Sequence, residues 1–148
     1  MNADVKRILI VDDSPKDVEL TISALAEKNL ANEVDVAEDG EEALDYLYKR
    51  GKFVDNKNGN PAVILLDIKM PKMNGIEVLK HIRSNTKFKS IPVIMVTSSG
   101  EEKDLVESYK LGANAYVVKP VDIVQFINAI KDLGQFWAVI NQQPHTNI

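Results

Sequence analysis

Five short runs rich in valine and isoleucine recur along this chain at a nearly constant interval, and that recurrence restricts the possible folds more than any other feature. They are Arg7–Val11 (RILIV), Glu33–Ala37 (EVDVA), Ala62–Leu66 (AVILL), Ile91–Val96 (IPVIMV) and Ala115–Val118 (AYVV). With starts at 7, 33, 62, 91 and 115, they lie 26, 29, 29 and 24 residues apart. Continuously apolar runs are expected of strands covered on both faces. The second run alternates more, as a strand nearer a sheet edge would.

The intervals carry helical spacing. Val18, Ile22 and Leu25 follow Ser14-Pro15, a cap residue and a proline suited to the first helical position. Ala43, Leu44, Leu47 and Tyr48 mark a second helix. Ile76, Leu79 and Ile82, with Val78 beside them, mark a third. Leu105, Val106 and Tyr109 mark a fourth, which Gly112 is placed to end. Ile123, Ile127 and Ile130, overlapped by Phe126, Leu133 and Trp137, mark a fifth. Strands alternating with helices predict an α/β fold with a parallel sheet and helices on both faces. Right-handed crossovers leave few topologies, and five strands favour a flavodoxin-like, doubly wound (βα)5 sheet of order 2-1-3-4-5. A length of 148 residues fits one domain, with a core from about 5 to 133 and a C-terminal extension and tail over 134–148. The connection Arg50–Pro61, RGKFVDNKNGNP, reads as a solvated connector.

Composition removes several chemistries. There is no cysteine, so disulfides, thiolate metal sites and cysteine nucleophiles are excluded. Two histidines, His81 and His145, cannot make a multi-histidine metal cluster. No window reaches the roughly 18 apolar residues of a membrane span. The N-terminal apolar run is too short for a signal peptide, so the cytoplasm is the expected compartment. The net charge is -4, and the lysines and arginines are scattered rather than gathered into a nucleic-acid groove.

Ligands of such sheets bind outside the carboxyl ends of the strands, where strand order reverses. The first run ends on Asp12 and Asp13, the third on Asp67, the fourth on Thr97 and Ser98, and the fifth on Lys119. Three carboxylates on one rim repel one another, which raises their pKa values or calls for a cation. Oxygen-only donors suit a hard cation, and few protein ligands suit Mg²⁺ better than Ca²⁺. Lys119 supplies a point charge for a carboxylate or phosphoryl oxygen, and Thr97 a short hydroxyl donor. This set describes a site that places a phosphoryl group on a carboxylate, a reaction that depends mainly on positioning and electrostatics. Asp67, on the central strand between the acidic pair and Thr97/Lys119, is the best acceptor.

Asp12-Asp13, Asp67 followed by MP and NG, Thr97 after an apolar strand, and Lys119-Pro120 together resemble the signature of two-component response-regulator receiver domains. The resemblance runs from about Arg7 to Lys131. It implies a phosphoryl group taken from a phosphohistidine on a sensor histidine kinase. It implies Mg²⁺ held by Asp13, Asp67 and the backbone carbonyl of Lys69, with Asp12 acting largely through water. It implies a signalling protein rather than an enzyme, one that catalyses only its own phosphorylation and dephosphorylation. Thr97 and Tyr116 would form the switch, although an aromatic in a strand also fits plain packing. The Lys119-Pro120 bond would be cis.

The long loop and the FWAVIN tail, Phe136–Asn141, look like the stand-alone regulators that partner phytochrome-type kinases. Signalling would then run through a partner, or through a homodimer formed by the fourth helix, fifth strand and fifth helix or by the C-terminal extension. Phe136 and Trp137 fit either an interface or a cap on the core. Arg50–Pro61 has kinase contact as its second reading.

Three other functions compete. A Mg²⁺-dependent phosphohydrolase with an aspartyl-phosphate intermediate commonly needs a carboxylate two residues after the nucleophile, where this chain has Lys69. A flavodoxin-like cofactor binder would meet repulsion between a flavin phosphate and the acidic loop VDDSPKD. A nucleoside triphosphatase lacks its G-x-x-x-x-G-K-[ST] loop.

Overall fold

The computed structural model describes residues 7–26, 33–98 and 102–119, together with 122, 124, 125 and 128. Five parallel strands, β1 (Arg7–Val11), β2 (Glu33–Ala37), β3 (Val63–Leu66), β4 (Val93–Thr97) and β5 (Ala115–Val118), form one sheet of order β2-β1-β3-β4-β5. Between them run α1 (Pro15–Ala26), α2 (Gly40–Tyr48), α3 (Gly75–Arg83) and α4 (Glu102–Lys110). The expected flavodoxin-like order is therefore the observed one. β4 begins later than expected: Pro92 has no N–H to give a ladder and only its carbonyl is used, accepting from Ile64 N at 3.0 Å. The expected fifth helix lies largely outside the described residues, as do Pro120, Phe136 and Trp137.

Alternation along each strand sends side chains to two cores. Leu9, Val11, Ile64, Leu66, Val93 and Met95 pack with α2 and α3; Ile8, Ile10, Leu65, Ile94 and Val117 pack with Val18 and Leu25 of α1. This two-sided burial is why the runs read as continuously apolar. β2 is covered less completely, its residues mostly half-buried, in keeping with an edge.

Two expected helix faces are corrected. In α2 the fully buried aromatic is Tyr46, while Tyr48 is 40 % exposed and meets Phe88 edge-on at 5.2 Å. In α4, Val106 and Tyr109 point outward, each 49 % exposed, and the buried position is Ser108. Ser108 Oγ has no hydrogen-bond partner among the described residues.

Gly112 ends α4 as expected. It has φ +100°, its N–H reaches Tyr109 O at 3.0 Å, and the Ala113 N–H reaches Ser108 O at 2.9 Å, a complete Schellman motif. The end of α2 uses the same pattern without glycine: Lys49 has φ +61°, with Lys49 N on Tyr46 O and Arg50 N on Asp45 O.

The long connection is more than a solvated linker. It contains a 3₁₀ turn, Gly51–Phe53, and Phe53 packs against the core and edge-on to Tyr46 at 5.2 Å. The Tyr46 hydroxyl donates to Asp35, which also pairs with Arg7 at 3.2 Å across β1 and β2. Burial and the Asp35 charge raise the Tyr46 phenol well above its usual range, so it stays a donor. Among the described residues no helix is long and apolar enough to cross a membrane.

Candidate functional site

The site forms where β1, β3, β4 and β5 end. Backbone ladder bonds continue into it: Asp12 N donates to Ala37 O at 3.1 Å, Asp67 N to Val11 O at 3.0 Å, and Lys119 N to Thr97 O at 2.8 Å. The rim residues are thus extensions of the sheet, and their positions follow from strand register.

Asp12, Asp13 and Asp67 each bring a carboxylate oxygen within 4.8 Å of the others. Asp12 and Asp67 are each only 5 % exposed, and Asp13 faces solvent. Lys119 Nζ lies 2.8 Å from Asp12 Oδ2, 3.0 Å from Asp17 Oδ2 and 3.4 Å from Asp67 Oδ2. Burial alone would lower the Lys119 pKa, but hydrogen bonds to Asp12 and Asp17 and the charges of Asp67 and Asp12 raise it on balance, so it remains an ammonium. Asp67 is pushed up to about 6: burial is the main cause, Lys119 pulls it down, and Asp12 and Asp13 push it up. A carboxylate held so far above its ordinary range has something to gain from a cation.

Asp12 also does structural work. Its Oδ1 accepts from Ser14 N at 3.0 Å, while Ser14 Oγ accepts from Asp17 N at 3.2 Å and starts α1. The loop after Asp67 explains the Asn74-Gly75 pair. Asn74 opens α3 with a reciprocal capping box to Glu77. Gly75 N donates to Ile68 O at 2.8 Å, and a Cβ there would sit 2.1 Å from the Asp67 carbonyl oxygen. Only glycine lets α3 start this close to the acidic residue.

Thr97 is fully buried at the end of β4, and Tyr116 is half-buried against the α2/α3 core. Lys69 is exposed and lines, with Asp13, an open cleft running toward Lys80 of α3 and Glu107 of α4. Ser98 and His81 are exposed. Sequence reading missed Asp17. An acidic residue in a first helical turn reads as a complement to the helix dipole, and its partner lies 102 positions away. The available signal was that this helix starts on the same rim.

The acidic pocket, the buried lysine and the buried threonine can be set against known proteins. The family model for the response regulator receiver domain matches residues 8–131. Response regulator Rcp1 of Synechocystis sp. (strain ATCC 27184 / PCC 6803 / Kazusa) is 33 % identical over 132 residues, covering 89 % of this chain and 88 % of Rcp1. A solved structure of its Mn²⁺-bound form superimposes with a TM-score of 0.73, covering 89 % of this chain and 94 % of that one. The bacteriophytochrome response regulator RtBRR is 58 % identical, with a TM-score of 0.84, over 95 % of this chain and 84 % of that one. The phosphorylated cyanobacterial phytochrome response regulator RcpA is 36 % identical, with a TM-score of 0.74, over 89 % of this chain and 93 % of that one.

Proposed function

The chain belongs to the response regulator receiver domain family, and on that premise we propose that it takes a phosphoryl group from a sensor histidine kinase, of phytochrome type, onto Asp67. One observation carries the reading: Lys119 lies between Asp12 and Asp67 on a rim where Asp13 completes a group of three carboxylates. The likeness to the bacteriophytochrome response regulator RtBRR and to the phytochrome response regulator RcpA supports the kinase type.

In the transfer, a carboxylate oxygen of Asp67 attacks the phosphorus of a phosphohistidine. A P–O bond forms, the P–N bond breaks, and the imidazole nitrogen leaves with the electron pair. Lys119 faces the charge on the phosphoryl oxygens, and the Thr97 hydroxyl donates to one of them. Asp12, Asp13 and Asp67, with the backbone carbonyl of Lys69, would hold Mg²⁺. The all-oxygen donor set and the raised Asp67 pKa fit a hard dication. When bound, the ion neutralises charge between the acceptor and the phosphoryl group.

In this reading the chain is a single receiver domain and a cytoplasmic signalling protein rather than a turnover enzyme. Inward movement of Thr97 and Tyr116 alters the outward surface of α4 and β5, where Val106, Tyr109 and Val118 are exposed. That surface, or the C-terminal extension, serves a partner or a second copy.

The test is intact mass after incubation with Mg²⁺ and acetyl phosphate. The expected result is a labile gain of one phosphoryl group, absent in Asp67→Asn and absent without the metal. No adduct on folded wild-type protein, from acetyl phosphate or from a phosphorylated kinase, overturns the reading.

A further inference from the structure

Lys119 has three N–H donors and three carboxylates around it, and the shares are unequal. The two shorter contacts go to Asp12 and Asp17, at 2.8 and 3.0 Å; the longest, 3.4 Å, goes to Asp67. The ammonium therefore sits closer to Asp12, just past β1, and to Asp17 of α1 than to the acceptor. Every donor is taken, so Lys119 can reach a phosphoryl oxygen only by releasing one carboxylate.

The burial of the three decides which one. The side chains of Asp12 and Asp67 are each 6 % exposed, and that of Asp17 is 36 % exposed. Asp12 is also tied to Ser14 N through its other oxygen, and Asp67 is the acceptor itself. Asp17 stands at the solvent edge, where water replaces a lost ammonium contact at little cost. Its backbone is fixed by the Ser14 cap in the first turn of α1, which keeps the carboxylate within reach of Lys119.

We propose that Asp17 is a positioning residue that holds Lys119 in a resting place on α1 and gives it up when Asp67 carries a phosphoryl group. The inference rests on Asp67 being the acceptor. Asp17 opposes the modified state by competing with the phosphoryl oxygens for the ammonium that must neutralise the new anion. It thereby sets how far the acceptor is loaded at a given phosphoryl supply.

The test uses beryllofluoride, which binds a carboxylate in the presence of Mg²⁺ as a tetrahedral stand-in for the phosphoryl group. Affinity is measured by titration calorimetry on the full chain for wild type, Asp17→Asn and Asp17→Glu. Asp17→Asn keeps the shape and removes the charge, and it is expected to bind about threefold tighter, a change of the size that one partly exposed ion pair supports. Asp17→Glu restores the charge and should return toward the wild-type value. A purely structural role for Asp17 would leave the affinity unchanged or weaken it, and either result overturns the proposal. Asp17→Ser serves as the second uncharged variant with the same expectation. A wild type that binds no beryllofluoride would instead overturn the acceptor role of Asp67, so the two failures are distinct.

Discussion

Asp67 pairs poor solvation with a productive position. Its carboxyl is pushed up to about 6 from an ordinary value of 3.8. A carboxyl whose folded pKa is raised stabilises the fold fully below its unfolded value, and that contribution is lost as pH rises through the folded value. The metal-free protein should therefore lose stability between about pH 4 and pH 6 on account of this group. Asp67→Asn removes the penalty. In metal-free buffer at pH 7.5 it should be on the order of 1–2 kcal/mol more stable, with the gain gone near pH 4. Thermal melts across that range check this, and an Asn variant less stable than wild type at pH 7.5 contradicts it. Mg²⁺ should raise the melting temperature of wild type and have little effect on the variant.

Ser108 supplies a second prediction at this scale. Its buried hydroxyl lacks a partner among the described residues, so Ser108→Ala should stabilise by about 1 kcal/mol in urea titrations. Asp17 marks the limit of sequence reading for single residues. Asp12, Asp13, Asp67 and Lys119 were legible because each ends an apolar run. Asp17 ends none, and its role depends on a tertiary contact.

At the scale of elements, helix ends position the site. α3 starts against the Asp67 carbonyl, and Gly75→Ala would force an atom to 2.1 Å from that oxygen. The loop that follows Asp67 must then move. We expect a loss of more than about 2 kcal/mol in stability and a slower gain of phosphoryl mass. Wild-type-like behaviour in both would contradict the packing. The end of α2 offers the opposite case. Lys49 holds a left-handed conformation that glycine adopts freely, although its ammonium also lies 5.8 Å from the Tyr46 ring. Lys49→Gly should stabilise by about 0.5–1 kcal/mol, the relief of strain exceeding the lost contact.

The sequence announced helix existence well and helix faces less well. Tyr48, Val106 and Tyr109 have the spacing of core residues yet lie outward. Spacing tells which residues share a face, and the neighbouring element decides which face is covered. Phe53, in a polar loop, is half-buried because Tyr46 and the core come to meet it.

At the scale of the whole molecule, one period dictates the result. Five parallel strands covered on both faces can close in few ways, so strand order and the placing of the reactive rim were both readable from the spacing of apolar runs. The same architecture links site to surface. β4 and β5 carry Thr97, Tyr116 and Lys119 inward, while α4 and β5 expose Val106, Tyr109 and Val118. An event on Asp67 thus has a short route to an apolar outer face. The central claim, that the phosphoryl group is carried by Asp67, is tested most directly by locating it chemically. Borohydride reduces an acyl phosphate on aspartate to homoserine, and peptide mass spectrometry then reads its position. Protein treated with acetyl phosphate and Mg²⁺ should yield homoserine at position 67 and nowhere else. Homoserine at Asp12 or Asp13, or none in protein that has gained phosphoryl mass, would contradict the account.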